Sequence, residues 1–365
     1  MSRKSADITA GAVADKDSVA APRRTLPPLL RYIIVRAGVS VLLLFGVTIV
    51  TFTLTNLVPA DPVQAALGER AAADPEIVAK FRAEMGLDKP LIVQYFTYLY
   101  NVFHGDLGVS NQTREPVAQG LLQAFPATAE LALVAMTFAI IAGLALGARA
   151  AVKRNQIEDQ AIRVLSLIGL SVPTFWLALI AYYFLFYRAR LLPGSGRLAP
   201  SLTPPPQITG MYVVDGVLSG NFAVAFDAFQ HLLLPASVLA LFTLGLLTRF
   251  TRSSVLEVLD MDYIKAARAK GLPPRTIMMG YVMRGALVPI ITIIGLAFGS
   301  LLSGTVLVEK IFAWHGLGEY AFLAATKLDL PAVMGVGLTV GMIYIGINFI
   351  VDILYGVIDP RVRVK

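Results

Sequence analysis

Cysteine is absent from this chain of 365 residues, which excludes a disulfide framework and any thiolate metal site. Histidine is scarce: His104, His231 and His315 stand far apart and lack metal-ligand spacing. Charge is thin, with 15% charged against 56% hydrophobic residues. That balance is too apolar for an ordinary soluble enzyme of this length. No Gly-x-x-x-x-Gly-Lys-Ser/Thr loop occurs, so the chain lacks that means of holding ATP. No Gly-x-Ser-x-Gly elbow stands in a strand-to-helix setting, and no internal repeat signals an inverted-repeat carrier. The net charge of +7 comes without a basic stripe interleaved with aromatics, so nucleic acid is not indicated as a partner.

The apolar residues gather in runs long enough to cross a bilayer, which takes roughly 20 residues per helix. Six spans are predicted, at about Ile33 to Val58, Thr128 to Val152, Ile162 to Tyr187, Leu232 to Leu247, Ala286 to Val308 and Ala332 to Val351. The segment before them, residues 1–28, is polar and reads as a disordered cytoplasmic tail. The first run is too long for a signal peptide and no small-residue cleavage site follows it, so it is read as a retained span. Residues 29–365 then form one transmembrane domain, with an outer loop at 59–127 and a cytoplasmic loop at 249–285. Arg23, Arg24, Arg31 and Arg36 precede the first span. Arg149, Lys153, Arg154 and Arg163 surround the turn after the second, seven basic residues crowd the 249–285 loop, and Arg361, Arg363 and Lys365 end the chain. All fall on one side of a six-span scheme, which places both termini in the cytoplasm. Arg188, Arg190 and Arg197 fall on the other side and count against the scheme.

Asp74-Pro75-Glu76 reads as a helix start, with Gly86 as its stop. Leu91 to Phe103, which carries Tyr95, Phe96, Tyr98 and Tyr100, suits a helix at the membrane interface, or one packed on the spans. The span interiors are bare of Asp, Glu, Lys and His, with Glu130 read as lying in the first turn of the second span. Ion-coupled carriers place such groups at mid-membrane, so energy is expected to enter from outside the spans. The available Ser166, Ser171, Ser300 and Ser303 have no base near them, which argues against an intramembrane hydrolase. The pairs Gly143 with Gly147, Gly295 with Gly299 and Gly337 with Gly341 are read as close helix contacts.

One loop breaks the pattern of short connections. Around Asp262-Tyr263-Ile264-Lys265-Ala266-Ala267-Arg268-Ala269-Lys270-Gly271, Asp260 or Asp262 is suited to cap a short helix of slim profile. Gly271 is suited to end it at positive φ, and Pro273 and Pro274 prevent its continuation. Either a plug for a groove on another protein or a plain solvated connector fits these residues.

This segment resembles the Glu-Ala-Ala loop of ABC importer permeases, with Lys265 where the acid would stand. The resemblance to the dipeptide and oligopeptide permease family extends over nearly the whole chain after Leu29. Phe45-Gly46-Val47-Thr48 through Pro59-Ala60-Asp61-Pro62, Gly86-Leu87-Asp88-Lys89-Pro90, Pro126-Ala127-Thr128-Ala129-Glu130-Leu131, Ser171-Val172-Pro173-Thr174-Phe175-Trp176, Leu234-Pro235-Ala236 and Asp359-Pro360-Arg361-Val362-Arg363 carry it in order. Trp314-His315 stands where Trp-Pro is expected. Gly105, Asp106, Leu107 and Gly108 are similar to a segment that in the family dips towards the translocation path, which makes them outer-gate candidates.

The resemblance implies an all-α, six-span type I ABC importer permease in the bacterial cytoplasmic membrane, multi-pass and non-catalytic. Its implied partners are a second related permease, two cytoplasmic ATPase subunits, an extracytoplasmic peptide-binding protein and membrane lipid. ATP and Mg belong to the ATPase partners, and no cofactor or metal is expected in this chain. Asp262, Tyr263, Ala266, Ala267, Arg268 and Gly271 are implied to couple ATPase movement to the spans, turning the cavity between two permeases outward. Peptide is the implied substrate; nickel, glutathione or a sugar would use the same architecture.

Overall fold

A computed structural model describes residues 28–57 and 73–358. The polar tail, the Pro59–Pro62 segment and the Asp359–Arg363 ending lie outside these residues. The described residues form helices, with a single isolated bridge between Val109 and Pro116 and no strand. In order, they are α1 (Pro28–Leu57), α2 (Pro75–Met85), α3 (Leu91–Phe103), α4 (Val117–Val152), α5 (Ile157–Ser171) and α6 (Thr174–Ala181), which continues as a π-helix through Arg188. Then come α7 (Tyr212–Leu218), α8 (Phe222–Leu259), α9 (Asp262–Ala269) and α10 (Pro274–Thr276), joined by a π-helical stretch (Ile277–Val282) to α11 (Met283–Gly304). Three more, α12 (Val306–Phe312), α13 (Leu317–Thr326) and α14 (Leu330–Ile358), complete the described chain.

Five of these helical stretches are long and apolar enough to cross a membrane, and α5 with α6 makes a sixth if the bent pair is one span. That bend corrects the expectation of an unbroken third span. The axis turns by 101° between α5 and α6. Pro173 has no N–H to continue the ladder, and it drives Val172 to φ −81 and ψ 127, out of the helical region. The second and fourth spans are also longer than expected, because α4 begins at Val117 and α8 at Phe222.

The small outer elements follow their local signals. Asp74 accepts from the Glu76 N–H at 2.9 Å and Pro75 takes the first helical position. Gly86 closes α2 at φ 66, with the Leu87 N–H returning to the Arg82 carbonyl. Helix α3 packs one side on α1, where Tyr95 meets the Thr48 hydroxyl at 2.8 Å and sets its ring edge-on to Phe45 and Phe52. Its other side, with Ile92, Phe96 and Phe103, is exposed.

The centre of the bundle is the pair α4 and α8. Ala127, Leu131, Ala135, Ala139, Gly143 and Gly147 recur every four residues along α4 and are all buried. A Cβ on Gly143 would lie 2.8 Å from the Leu247 Cβ, and one on Gly147 would lie 2.6 Å from the Thr251 Cβ and 2.8 Å from the Thr248 carbonyl. The other two pairs do the same elsewhere: Gly295 and Gly299 of α11 face Val351 and Tyr344 of α14, and Gly337 and Gly341 of α14 face Thr51 and Val47 of α1. All three glycine pairs are therefore close-packing sites, as the sequence suggests. At Gly147 any larger residue must part the two helices, since backbone as well as side chain stands in the way. Gly147→Val is expected to destabilise the fold by about 1–3 kcal/mol, read as a lower melting temperature in detergent and a smaller membrane fraction.

Candidate functional site

Three places gather the residues that matter: a loop helix at the basic end, a cavity at the broken span, and a hydrogen-bonded cap at the opposite end.

At the basic end, α9 forms over Asp262–Ala269 as its alanine content favours. Neither Asp260 nor Asp262 caps it. Met261 is the capping residue, without a side-chain bond, Asp260 ends α8, and Asp262 lies in the first turn paired to Lys265 at 2.9 Å. Gly271 does take φ +70, and nothing stands within 4 Å of where its Cβ would be. The helix has two faces. Ile264 and Ala267 are buried in a cluster with Val255 and Val258 of α8, Ile277, Val282, and Ala286 of α11. Asp262, Tyr263, Lys265, Ala266 and Arg268 are exposed. Ala267 therefore fastens the helix to its own chain, and the free face belongs to the other residues. The Tyr263 hydroxyl lies where a Cβ on Gly285 would come within 2.7 Å of it.

Behind α9, two bridges join the last turns of α8 to the start of α5 and the turn before it. Arg252 donates to both oxygens of Asp159, at 2.7 and 2.8 Å. Asp159 has no exposed side-chain surface, and it also accepts from the Asn155 N–H at 3.0 Å. Arg154 reaches Asp260 at 4.0 Å on the surface. The sequence shows Glu158 and Asp159 as acids among bases at a span end, and Arg252 as one of many loop bases, but not which acid meets which base.

At the far end of α5 the elbow opens a cavity of ≈ 420 Å³, lined by Ser171, Val172, Pro173, Thr174 and Ser300 with Leu239 and Phe242 of α8. Non-helical backbone at membrane depth persists where protein buries it or where it lines a wet cavity.

The opposite end is held by buried acids. Glu130 lies well inside α4, not in its first turn, since the helix starts at Val117. Instead of meeting a helix dipole it meets Arg197 at 2.8 Å and the N–H groups of Tyr212 and Val213. Arg197 also stacks over Tyr212, 3.8 Å from the ring centre. Its charge is thus consumed inside the protein, which removes its objection to the six-span orientation. Glu309 is wholly buried and accepts from the Thr128 hydroxyl at 2.6 Å and the Glu319 N–H at 3.0 Å. Asp215 is buried, which opposes ionisation, yet the Thr209 hydroxyl and the N–H groups of Thr209, Gly210 and Ile208 hold its carboxyl below the usual range. His315 sits at φ +53 and its N–H donates to Glu319, a position closed to the proline expected after Trp314.

Gly105, Asp106, Leu107 and Gly108 belong to this cap. Gly105 and Gly108 take φ +78 and +83, and Asp106 accepts from the Gly108 N–H at 2.8 Å. Leu107 packs into a cluster with Val117 and Leu121 of α4 and Ala332 and Val336 of α14. Just beyond, Asp329 accepts from the Ser110 hydroxyl and the Asn111 N–H while standing at the entry of α14. The four candidates thus lie at the mouth between α4 and α14. Among the described residues no cluster of His, Cys, Asp and Glu is suited to hold a metal ion.

The family is decided by comparison with known proteins. Residues 139–364 match the model of the binding-protein-dependent transport system inner membrane component, and residues 29–132 match the N-terminal model of the same systems. The chain is 45% identical over 322 residues to the probable D,D-dipeptide transport system permease protein DdpB of Escherichia coli K12, covering 88% of this chain and 94% of that one. It is 43% identical to the di/tripeptide transport system permease protein DppB of Pseudomonas aeruginosa, over 92% of this chain and 99% of that one. It is 41% identical to the dipeptide transport system permease protein DppB of Escherichia coli K12, over 92% of this chain and all of that one. The chain belongs to the binding-protein-dependent transport system inner membrane component family, as a multi-pass membrane protein of all-α, type I importer permease fold.

Glu130→Ala would take the carboxylate acceptor away from three donors: the Arg197 guanidinium, only 10% exposed, and the N–H groups of Tyr212 and Val213. Removing one partner of a buried pair costs about 3–5 kcal/mol. The variant is expected to melt earlier and to be cleaved faster by protease between residues 190 and 212.

Proposed function

We propose that this chain is one permease half of an ATP-driven importer that carries di- or oligopeptides across the cytoplasmic membrane by alternating access. The observation that carries this reading is the family match along almost the full length, to relatives named for dipeptide and tripeptide transport. In this reading a second permease completes the path, two ATPase subunits bind ATP and Mg, and a binding protein delivers peptide. The chain itself performs no catalysis. The exposed face of α9, with Tyr263, Ala266 and Arg268 ahead of the Gly271 turn, is the part offered to an ATPase groove. Gly105 to Gly108 line the outer mouth.

Peptides of varied side chain need a path that is wet and undemanding, and the buried Glu130 inside α4 is neutralised by Arg197 rather than left to face such a path. The elbow cavity adds hydroxyls and unwound backbone without a charge, which suits the peptide main chain shared by all such substrates.

Both termini are assigned to the cytoplasm, on the side of Lys153 and the α9 loop. Reporter fusions at Asp17, Lys153 and Lys365 are expected to give cytoplasmic signals. A periplasmic signal from Lys365 would remove the six-span scheme.

The coupling assignment is tested at Gly271. A Cβ there would meet nothing within 4 Å, so the penalty of a valine is chiefly backbone strain at φ +70, about 1–3 kcal/mol. Gly271→Val is expected to reach the membrane at near-normal level, yet to lose most uptake of labelled dialanine or to hydrolyse ATP without transport. Normal uptake would make the loop a plain connector.

A further inference from the structure

The start of α5 and the last turns of α8 are joined by a pair of charges at a place where apolar packing would serve stability as well. Replacing a buried ion pair with well-packed apolar residues is often neutral or stabilising, so the pair calls for a reason beyond stability. The way α5 and α8 touch elsewhere supplies one. A Cβ on Gly245 of α8 would lie 2.6 Å from the Ser166 carbonyl, and one on Gly169 of α5 would lie 2.8 Å from the Leu241 carbonyl. Contacts of glycine on backbone fix how near two helices lie. Beside them one side chain, Leu170, rests 3.1 Å from where a Cβ on Gly245 would be, and a single aliphatic contact of this kind is a weak brake on sliding one helix along the other. The bidentate bridge does fix that, because two parallel N–H···O bonds tolerate little displacement.

What lies at each end of this joint gives it a role. On α8, Val255 and Val258 follow Arg252 towards the helix tip and form the bed in which Ile264 and Ala267 of α9 are buried. On α5, the helix runs from Asp159 to the elbow, whose cavity Ser171 and Thr174 line. We infer that the Asp159–Arg252 bridge is a positioning element for transport: it sets the sliding register of α5 on α8 and so carries movement of the α9 loop to the elbow. Asn155 and Arg163 support it, the one by its N–H at 3.0 Å and the other at 3.8 Å. The inference rests on the reading of α9 as the coupling helix, and it takes the elbow between α5 and α6 as the element whose arrangement changes.

The absence of cysteine makes the test direct. Ser171→Cys in the full complex, with ATPase and binding-protein partners and reconstituted in liposomes, reports the elbow through its rate of labelling by a water-soluble maleimide. Labelling is compared with and without a non-hydrolysable ATP analogue, alongside ATP hydrolysis and dialanine uptake. In the parent background the analogue is expected to change labelling severalfold. Adding Asp159→Asn is expected to abolish that change and to lower uptake per ATP hydrolysed by about tenfold, within the range for mutations along a coupled network. Hydrolysis per assembled complex should persist. Arg252→Lys keeps the charge but not the two parallel bonds and is expected to act in the same direction; it serves as the test if Asp159→Asn does not assemble. Combining Asp159→Asn with Arg252→Gln should be no worse for uptake per ATP than the first change alone, because both remove one joint.

Hydrolysis, labelling change and uptake all falling together with the amount of assembled complex would make the pair a brace and overturn the inference. An unaltered labelling change in both single variants would overturn it too, as would ATP-independent labelling in the parent. The Gly271→Val result decides the coupling reading separately. Loss of uptake there, with an intact labelling response in Asp159→Asn, would sink the inference and leave that reading standing.

Discussion

The approach of α4 to α8 is the contact on which the rest of the chain is arranged. In a bilayer the hydrophobic effect does not press helices together, because lipid tails are as apolar as leucine. Attraction must come from atoms brought close, and Gly143 and Gly147 allow this by presenting bare backbone to Leu247, Thr248 and Thr251. The stripe of alanines continuing from these glycines keeps the contact close along much of α4. Helix α5 leans on the same rod through Gly169 and Gly245, α11 packs beside it, and α1 is held at the margin through α14. Slim residues thus build the scaffold, and bulky ones such as Phe312 and Trp314 fill the space at its end.

Ionic groups are distributed to suit this frame. Asp159 with Arg252 sits at one end, and Glu130 with Arg197, Glu309 and Asp329 sit at the other. Each carboxylate is met by a guanidinium, by hydroxyls or by backbone N–H groups, so little charge is left unmatched where water is excluded. Between the two ends the polar lining at the elbow is neutral: hydroxyls and interrupted backbone.

Much of this was legible in the chain. The apolar runs, the glycine pairs, the Asp74 cap, the Gly86 stop and the positive φ of Gly271 are local properties, and local rules found them. The break at Val172-Pro173 was equally local, but the apolar residues on both sides disguised it as one run. The limits of the second and fourth spans were drawn too short because helix continues beyond the apolar stretch, where folded loops replace lipid as neighbour. Glu130 was misread for the same reason: with α4 begun too late, it looked terminal. The partners of Glu130, Asp159 and Asp329 are non-local, since Arg197, Arg252 and Ser110 are far away in sequence. Composition and spacing carry no trace of such pairings. The inward turn of Ala267 was out of reach for a related reason, because a short helix shows its buried side only once the bed beneath it is known.

Helix α8 runs for 38 residues, about 57 Å at 1.5 Å per residue, while the hydrocarbon layer is about 30 Å thick. Roughly half of this rod's length therefore exceeds the oily layer, divided between its two ends, and α9 follows the end at Leu259. A docked protein can grasp that tip outside the oily layer. The geometry also sets a gearing: a tilt of about 5° shifts one end of such a rod sideways relative to the other by about 5 Å. A small rocking of whatever holds the tip is enough to carry the other end sideways by about the width of a side chain.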